Sequence, residues 1–346
     1  MSRRFLAVVG VLSAIVAGVW LSPVRAAGQA TTAAEKRPAA TQPAARIPPR
    51  TSRGDPDLQG IWNNTAMIGV PLEAQDEQTL RERLTGSSEE ASVGPPSHCV
   101  EGDRTGSAKV VPRSLFVDPP AGKLPPLTLE AQKRWKAKAE ARRGIGTDQP
   151  RPGHWVEDVH LWVRCITRGV PDSIFPRAYN NNYQIMQTPE YVVILYEMIH
   201  DARIIPLGGR PHLPDTVRQW MGDSRGRWEG TTLVVDTTNF TDKIEGNLIP
   251  NGGGGFGSGT YRGAGETLHL VERFTRVDAD TIDYQATIDD PKLYTRPWTV
   301  AFRLTTQDSP DRILEYACHE GNYGLAHILS AAAARDQAAE EVAKRK

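Results

Sequence analysis

Between residues 183 and 318 the chain runs through eight strand-like segments with little but turns between them, and this run limits the folds open to it. The segments are Tyr183–Gln187, Tyr191–Met198, Ala202–Leu207, Arg227–Thr237, Leu268–Arg276, Thr281–Ile288, Trp298–Thr305 and Ile313–Cys318. Several alternate strictly. Ile282, Tyr284, Ala286 and Ile288 share one face, while Asp283, Gln285, Thr287 and Asp289 share the other. Trp298, Val300, Phe302 and Leu304 oppose Thr299, Ala301, Arg303 and Thr305 in the same way. Asp278-Ala279-Asp280 and Gln307-Asp308-Ser309-Pro310 have hairpin-turn chemistry. One wet face per strand means antiparallel sheet, and eight consecutive strands predict a mainly β fold that closes into an eight-stranded antiparallel barrel or a strongly curved sheet. An open sandwich of similar strands is the competing arrangement.

The flanks add only a few peripheral helices. Residues 74–84 and 128–143 have helical patterns, the second capped by Thr128 with Trp135 as its apolar anchor. Residues 85–126 are rich in Gly, Ser and Pro and hold one short strand candidate, Ser114–Val117. From Leu325 the chain is helical at first, then turns into Ala, Glu and Lys. The expected organisation is a signal peptide over 1–26 and a disordered tether over 27–54. A single β-rich domain follows over 55–330, with a helical and loop insertion at 74–160, and then a solvated tail at 331–346.

Arg3 and Arg4, the apolar run Phe5–Leu21 and the small-x-small site Val24-Arg25-Ala26 form a secretory signal. The alternative is an uncleaved anchor, since about 20 apolar residues span a bilayer. Pro23 and the cleavage site behind it favour removal, and the junction has no Cys for lipidation. Ser2-Arg3-Arg4-Phe5-Leu6 is one residue short of a twin-arginine signal, so ordinary secretion is preferred. Removal takes away Arg3, Arg4 and Arg25 and no acid, leaving 38 of 41 bases against 41 acids. A near-neutral chain gives no electrostatic case for nucleic acid, and after processing no stable membrane insertion is expected. The localisation predicted is periplasmic or secreted. Such a compartment permits a disulfide among Cys99, Cys165 and Cys318. Cys165 with Cys318 brackets the strand region and is preferred; Cys99 with Cys165 is the rival pairing.

Polar side chains gather in three segments. Glu197-Met198-Ile199-His200-Asp201-Ala202-Arg203 joins the second and third strand candidates. Arg210-Pro211-His212 continues through Arg218, Trp220 and Asp223 to Trp228. Cys318-His319-Glu320-Gly321-Asn322-Tyr323 follows the last strand. Imidazoles beside carboxylates suit acid–base chemistry, so His200, Asp201, His212, His319 and Glu320 are the candidate catalytic residues. Arg203, Arg218, Trp220, Asp223, Trp228, Asn322 and Tyr323 are the candidate ligand-binding residues. The bland alternative is that these acids and bases pair within turns and the aromatics are core. No CxxC, HxH or HExxH is present, so neither a metal nor a cofactor is expected. There is no GxSxG, and Gly252–Gly255 lacks the GK[ST] of a phosphate loop.

Two resemblances follow from quoted residues. Gly60-Ile61-Trp62, leading into a β-rich chain, is similar to the G-x-W opening of lipocalins, which implies a lipocalin-like barrel. The long insertion before the strands departs from that family's compact pattern. From Asp55 to Ser330 the chain also resembles a family of secreted bacterial proteins with no assigned activity. The matching stretches are Gln187–Val193, His200–Leu207, Gly222–Gly230 and Tyr316–Tyr323. The expected function is an exported barrel that binds a small organic or carbohydrate ligand, with metal-independent lyase, isomerase or hydrolase chemistry by the histidine cluster. The alternative is a non-catalytic, envelope-associated binding or structural protein.

Overall fold

The computed structural model describes residues 48–68, 70, 72–73, 114–141, 156, 161–176, 179–243, 265–306 and 309–345. The signal segment, most of the tether, the helix expected at 74–84, Cys99 and Gly252–Gly259 lie outside the described residues, as does the side chain of Trp135.

Ten strands form one antiparallel sheet that nearly closes on itself, a barrel with few helices. They are β1 (Gly60–Asn63), β2 (Phe116–Asp118), β3 (Asn182–Gln187), β4 (Tyr191–Tyr196), β5 (Ala202–Pro206), β6 (Asp223–Glu229), β7 (Thr232–Thr238), β8 (His269–Arg276), β9 (Thr281–Asp289) and β10 (Trp298–Thr305). Nine follow one another as β5-β4-β3-β1-β10-β9-β8-β7-β6. β2 pairs with the first half of β10, whose far end pairs with β1. The alternation predicted for β9 and β10 is observed. Ile282, Tyr284, Ala286 and Ile288 are buried, as are Trp298, Val300, Phe302 and Leu304.

An odd ring of antiparallel strands cannot close antiparallel. The ninth strand must run the same way as the first, so β5 and β6 meet as parallel neighbours. Among the described residues no backbone ladder joins them. A parallel pair needs a crossover connection, and residues 207–222 supply it. Side chains join the seam instead. Arg203 Nε on β5 donates to Ser224 Oγ on β6 at 2.9 Å, and Gly226 on β6 leaves the space that Ile205 and Leu207 fill.

The interior is packed with rings. Tyr284 lies 4.8 Å from Phe302 and 5.0 Å from Phe274 between centroids, Phe116 stacks on Trp298 at 5.1 Å, and Tyr183 meets Tyr196 edge-on at 5.8 Å. Trp62 is fully buried, donates from Nε1 to Leu58 O at 2.9 Å, and carries the Arg276 guanidinium 4.4 Å above its ring. Each large apolar side chain removed from water contributes roughly 1.5–3 kcal/mol, so this filling dominates the barrel's stability.

Three expectations change. Arg227–Thr237 is not one strand but the β6–β7 hairpin, in which Glu229 pairs with Thr232. Its two-residue loop opens on Gly230 at φ +63, where only glycine sits without strain. Ile313–Cys318 is no strand. Both sides of β10, the strand before it, are already paired, so the segment cannot continue the meander as a hairpin partner of β10. The C-terminal helix, α2 (Tyr323–Lys344), crosses the boundary expected at residue 330, and Ala332 is its one buried residue. The other long helix, α1 (Leu129–Ala141), is capped as expected by Thr128, whose Oγ1 accepts from Ala131 N at 3.1 Å.

The seam yields a prediction. A Cβ on Gly226 would stand 2.7 Å from Leu207 Cδ2 and 2.9 Å from Ile205 Cγ2. Gly226→Ala therefore lowers stability by about 1–3 kcal/mol, the usual cost of overpacking, as read by urea unfolding. Unchanged stability would show that the seam is loose at this point.

Candidate functional site

The first and third polar segments meet at one end of the barrel. Cys165 and Cys318 form the disulfide, with their Cα atoms 5.6 Å apart and the two residues separated by 153 positions in sequence. It ties the loop ahead of β3 to the segment ahead of α2. Asn322 reinforces the tie: its Nδ2 donates to Val163 O at 2.8 Å, while its Oδ1 caps α2 by accepting from Leu325 N at 3.3 Å. Its amide thus has a structural duty.

Against this tie sits the turn between β4 and β5. Tyr196 N donates to Asp201 O at 2.8 Å and closes the turn. Met198 and Ile199 are buried beneath it, and His200 projects outward. Ile199 and His200 both have positive φ, +66 and +49, and so does Cys165 at +58. For a β-branched residue this conformation is a true outlier, and each such residue costs on the order of 1–3 kcal/mol. Strain of this kind persists only where surrounding contacts hold it.

His200 is oriented by one hydrogen bond. Its Nδ1 lies 2.8 Å from Tyr316 O, and a backbone carbonyl only accepts. Nδ1 therefore carries the proton, and in the neutral ring Nε2 keeps its lone pair. Next to it, Asp201 Oδ2 accepts from Thr167 Oγ1 at 2.7 Å. Burial pushes the Asp201 carboxyl above its ordinary range; the hydrogen bonds from the Thr167 hydroxyl and the Arg168 backbone N–H, with nearby His200, only partly offset this. The Tyr316 hydroxyl, also raised chiefly by burial, stands beside Tyr179 and Arg168. The Arg168 guanidinium lies 4.9 Å above the Trp162 ring. This end of the barrel thus presents an imidazole, a partly desolvated carboxyl and three aromatic rings, one of them backed by the buried Arg168. His319 and Glu320 are exposed on the same segment, directly after Cys318, and Tyr323 is exposed beyond them against His327.

The second segment lies elsewhere. His212 sits on the outer face of the barrel wall with Nδ1 2.9 Å from Asp223 Oδ2 and Nε2 3.0 Å from Asp236 Oδ1. Asp236 Oδ2 accepts from His269 Nε2 at 2.9 Å. That hydrogen bond, more than any other influence, lowers the Asp236 pKa and raises that of His269. Arg218 donates to Glu266 O at 2.8 Å, and Trp220 and Trp228 pack partly buried against the core.

Arg203 occupies a third setting, inside the barrel. Its Nη1 faces Glu272 Oε2 at 2.6 Å, and Nη2 donates to Thr237 Oγ1 at 2.6 Å. Tyr284 completes the group by donating to Glu272 Oε1 at 2.8 Å. Successive strand residues point to opposite faces, so Asp223 and Asp236 outside stand back to back with Ser224 and Thr237 inside. Arg203 and His212 therefore lie on opposite sides of the β6–β7 wall. One pocket holding both is not what the structure shows.

Asp236, His269, Glu272, Tyr284 and Thr167 escaped the sequence reading. In β8 His269 is half-buried and Glu272 fully buried, and which acid faces which base depends on register, which alternation does not supply. Among the described residues, no group of three or more His, Cys, Asp or Glu side chains is arranged to hold a metal ion. No protein-family model, no curated protein and no solved structure matches the chain.

Asp201 generates a pH prediction. A carboxyl whose folded pKa is raised binds more protons in the native state, so stability falls as pH rises from its unfolded toward its folded pKa. Asp201→Asn removes this dependence. Urea unfolding from about pH 3.5 upward shows the variant gaining on the wild type as pH rises through the carboxylate range. A constant difference would contradict a desolvated carboxyl.

Proposed function

We propose that the protein is an exported barrel that binds a small organic or carbohydrate molecule over the end where the disulfide meets the β4–β5 turn. There His200 acts as the acid–base group. The observation that carries this reading is the 2.8 Å contact of His200 Nδ1 with Tyr316 O, which aims Nε2 away from the protein on a strained but fixed backbone. Asp201 is the adjoining carboxyl. Trp162, Tyr179 and Tyr316 offer ring faces for a planar or sugar ligand. The ligand is assigned to the barrel end because rings fill the interior. Export accords with the N-terminal signal and with a disulfide, which persists in oxidising compartments. Chemistry of the lyase, isomerase or hydrolase kind needs no more than a proton moved by Nε2 and a neighbouring acid.

A non-catalytic binding protein is the second reading. It is favoured by Asn322, His212 and Arg203, whose polar atoms are engaged by the chain itself.

The test is a thermal-shift panel of sugars and small organic acids on the mature protein and on His200→Asn. Asparagine tolerates positive φ and can still donate to Tyr316 O, so the variant should melt within a few degrees of wild type. A ligand that binds only the folded state raises the wild-type midpoint, and the variant should lose that rise. Hits that shift both proteins equally would place the site elsewhere. Binding retained by His200→Asn with no turnover in either protein would favour the non-catalytic reading.

A further inference from the structure

The crossover that the parallel seam demands runs, exposed, over the outside of the β6–β7 hairpin. Leu207 anchors its start in the core, and its end is held where Gln219 pairs with the backbone of Asn239 and Thr241 and Trp220 and Met221 pack inward. Between these ends its attachments to the hairpin are polar. Arg225 Nε donates to Pro211 O at 2.9 Å, Leu213 N to Asp223 Oδ2 at 2.9 Å, and Asn239 Nδ2 to Leu213 O and Pro214 O at 2.9 and 3.1 Å. The side chain that pins the strap to two strands at once is His212, held between Asp223 on β6 and Asp236 on β7. We propose that residues 207–222 form a proton-controlled strap, fastened while His212 is an imidazolium and loosened when it is neutral.

The argument is one of hydrogen count. Both ring nitrogens face carboxylate oxygens, at 2.9 and 3.0 Å, and an ionised carboxylate only accepts. Two N–H groups are needed to satisfy both contacts. A neutral ring has one, so its other nitrogen would set a lone pair against a carboxylate at hydrogen-bond distance, and that contact must open. Cationic partners flank both acids. Arg225 Nη1 from β6 lies 2.6 Å from Asp223 Oδ1, and His269 from β8 bonds the far oxygen of Asp236. The groups form an alternating chain of Arg225, Asp223, His212, Asp236 and His269, with Asp289 of β9 adding negative charge beside His269. His212 is the central link and the one whose loss of a proton breaks contacts on both sides. The strap ends at Met221, whose Sδ is 3.4 Å from Thr167 Oγ1, the donor to Asp201. Release therefore reaches the barrel end; that consequence rests on the proposed site, whereas the release itself does not.

Hydrogen exchange of the mature chain tests the strap, with rates corrected for the intrinsic effect of pH. Backbone amides of 212–222 should lose about tenfold or more of their protection between about pH 6 and about pH 9, across which an imidazole deprotonates, while β8 and β9 stay unchanged. His212→Gln should show the low value at both pH values. Asp236→Asn should show the high value at both, because the asparagine amide donates to a neutral ring. Equal wild-type protection at the two pH values, an undiminished pH effect in Asp236→Asn, or a loss shared equally by β8 and β9 would each overturn the proposal.

Discussion

A buried guanidinium must find partners for its charge and its hydrogens, and Arg203 finds them on three other strands. From β5 it reaches Ser224 on β6, Thr237 on β7 and Glu272 on β8, and Glu272 passes the connection to Tyr284 on β9. Tyr196 on β4 is fully buried near the same pair, and loss of hydration pushes its hydroxyl up to about 12, with Arg203 opposing and Glu272 reinforcing the shift. The network crosses the one place where the ring has no backbone ladder. A buried ion pair is a poor source of net stability, because desolvation offsets most of its attraction. Its directionality is another matter. It requires these strands to meet in one register, and a parallel seam without a ladder has no other device of that kind.

The same closure decides where function can lie. Rings in contact fill the interior, so recognition falls to the barrel ends and the outer wall, where loops are held by a rigid frame. At one end the frame includes a disulfide and three non-glycine residues with positive φ, Cys165, Ile199 and His200. On the outer wall the frame carries the strap that the odd strand count makes necessary. The two regions touch through Met221 and Thr167, so a change in one has a short physical route to the other.

Much of the barrel was legible because a half-buried strand writes its two faces into alternate residues. β9 and β10 show this most plainly, and the Cys165–Cys318 pair followed from where those residues bracket the strands. What alternation lacks is pairing. It did not reveal that Glu229-Gly230-Thr231-Thr232 turns a chain reversal, and it gave Ile313–Cys318 a strand although β10 before it is already paired on both sides. The histidines were visible as residue types, but they were grouped by character. Register instead sends His212 to Asp236 on the outer face, leaves His200 against Tyr316, and turns Arg203 inward among aromatics. An inward arginine breaks the rule that strand interiors are apolar, and only its partner Glu272, an equally discordant inward acid far along the chain, makes sense of it.

If the Arg203–Glu272 group closes the seam, replacing both charges together should loosen the seam selectively, without leaving one buried charge alone. The measurement is hydrogen exchange on Arg203→Met/Glu272→Met. The β5 amides bonded to β4 should lose protection as the strand frays from β6, while those joining β8 to β9 remain as slow as in the wild type. Unchanged protection along β5, with exchange elsewhere also unaltered, would contradict the account and assign closure of the barrel to apolar packing of Ile205, Leu207 and Gly226 alone.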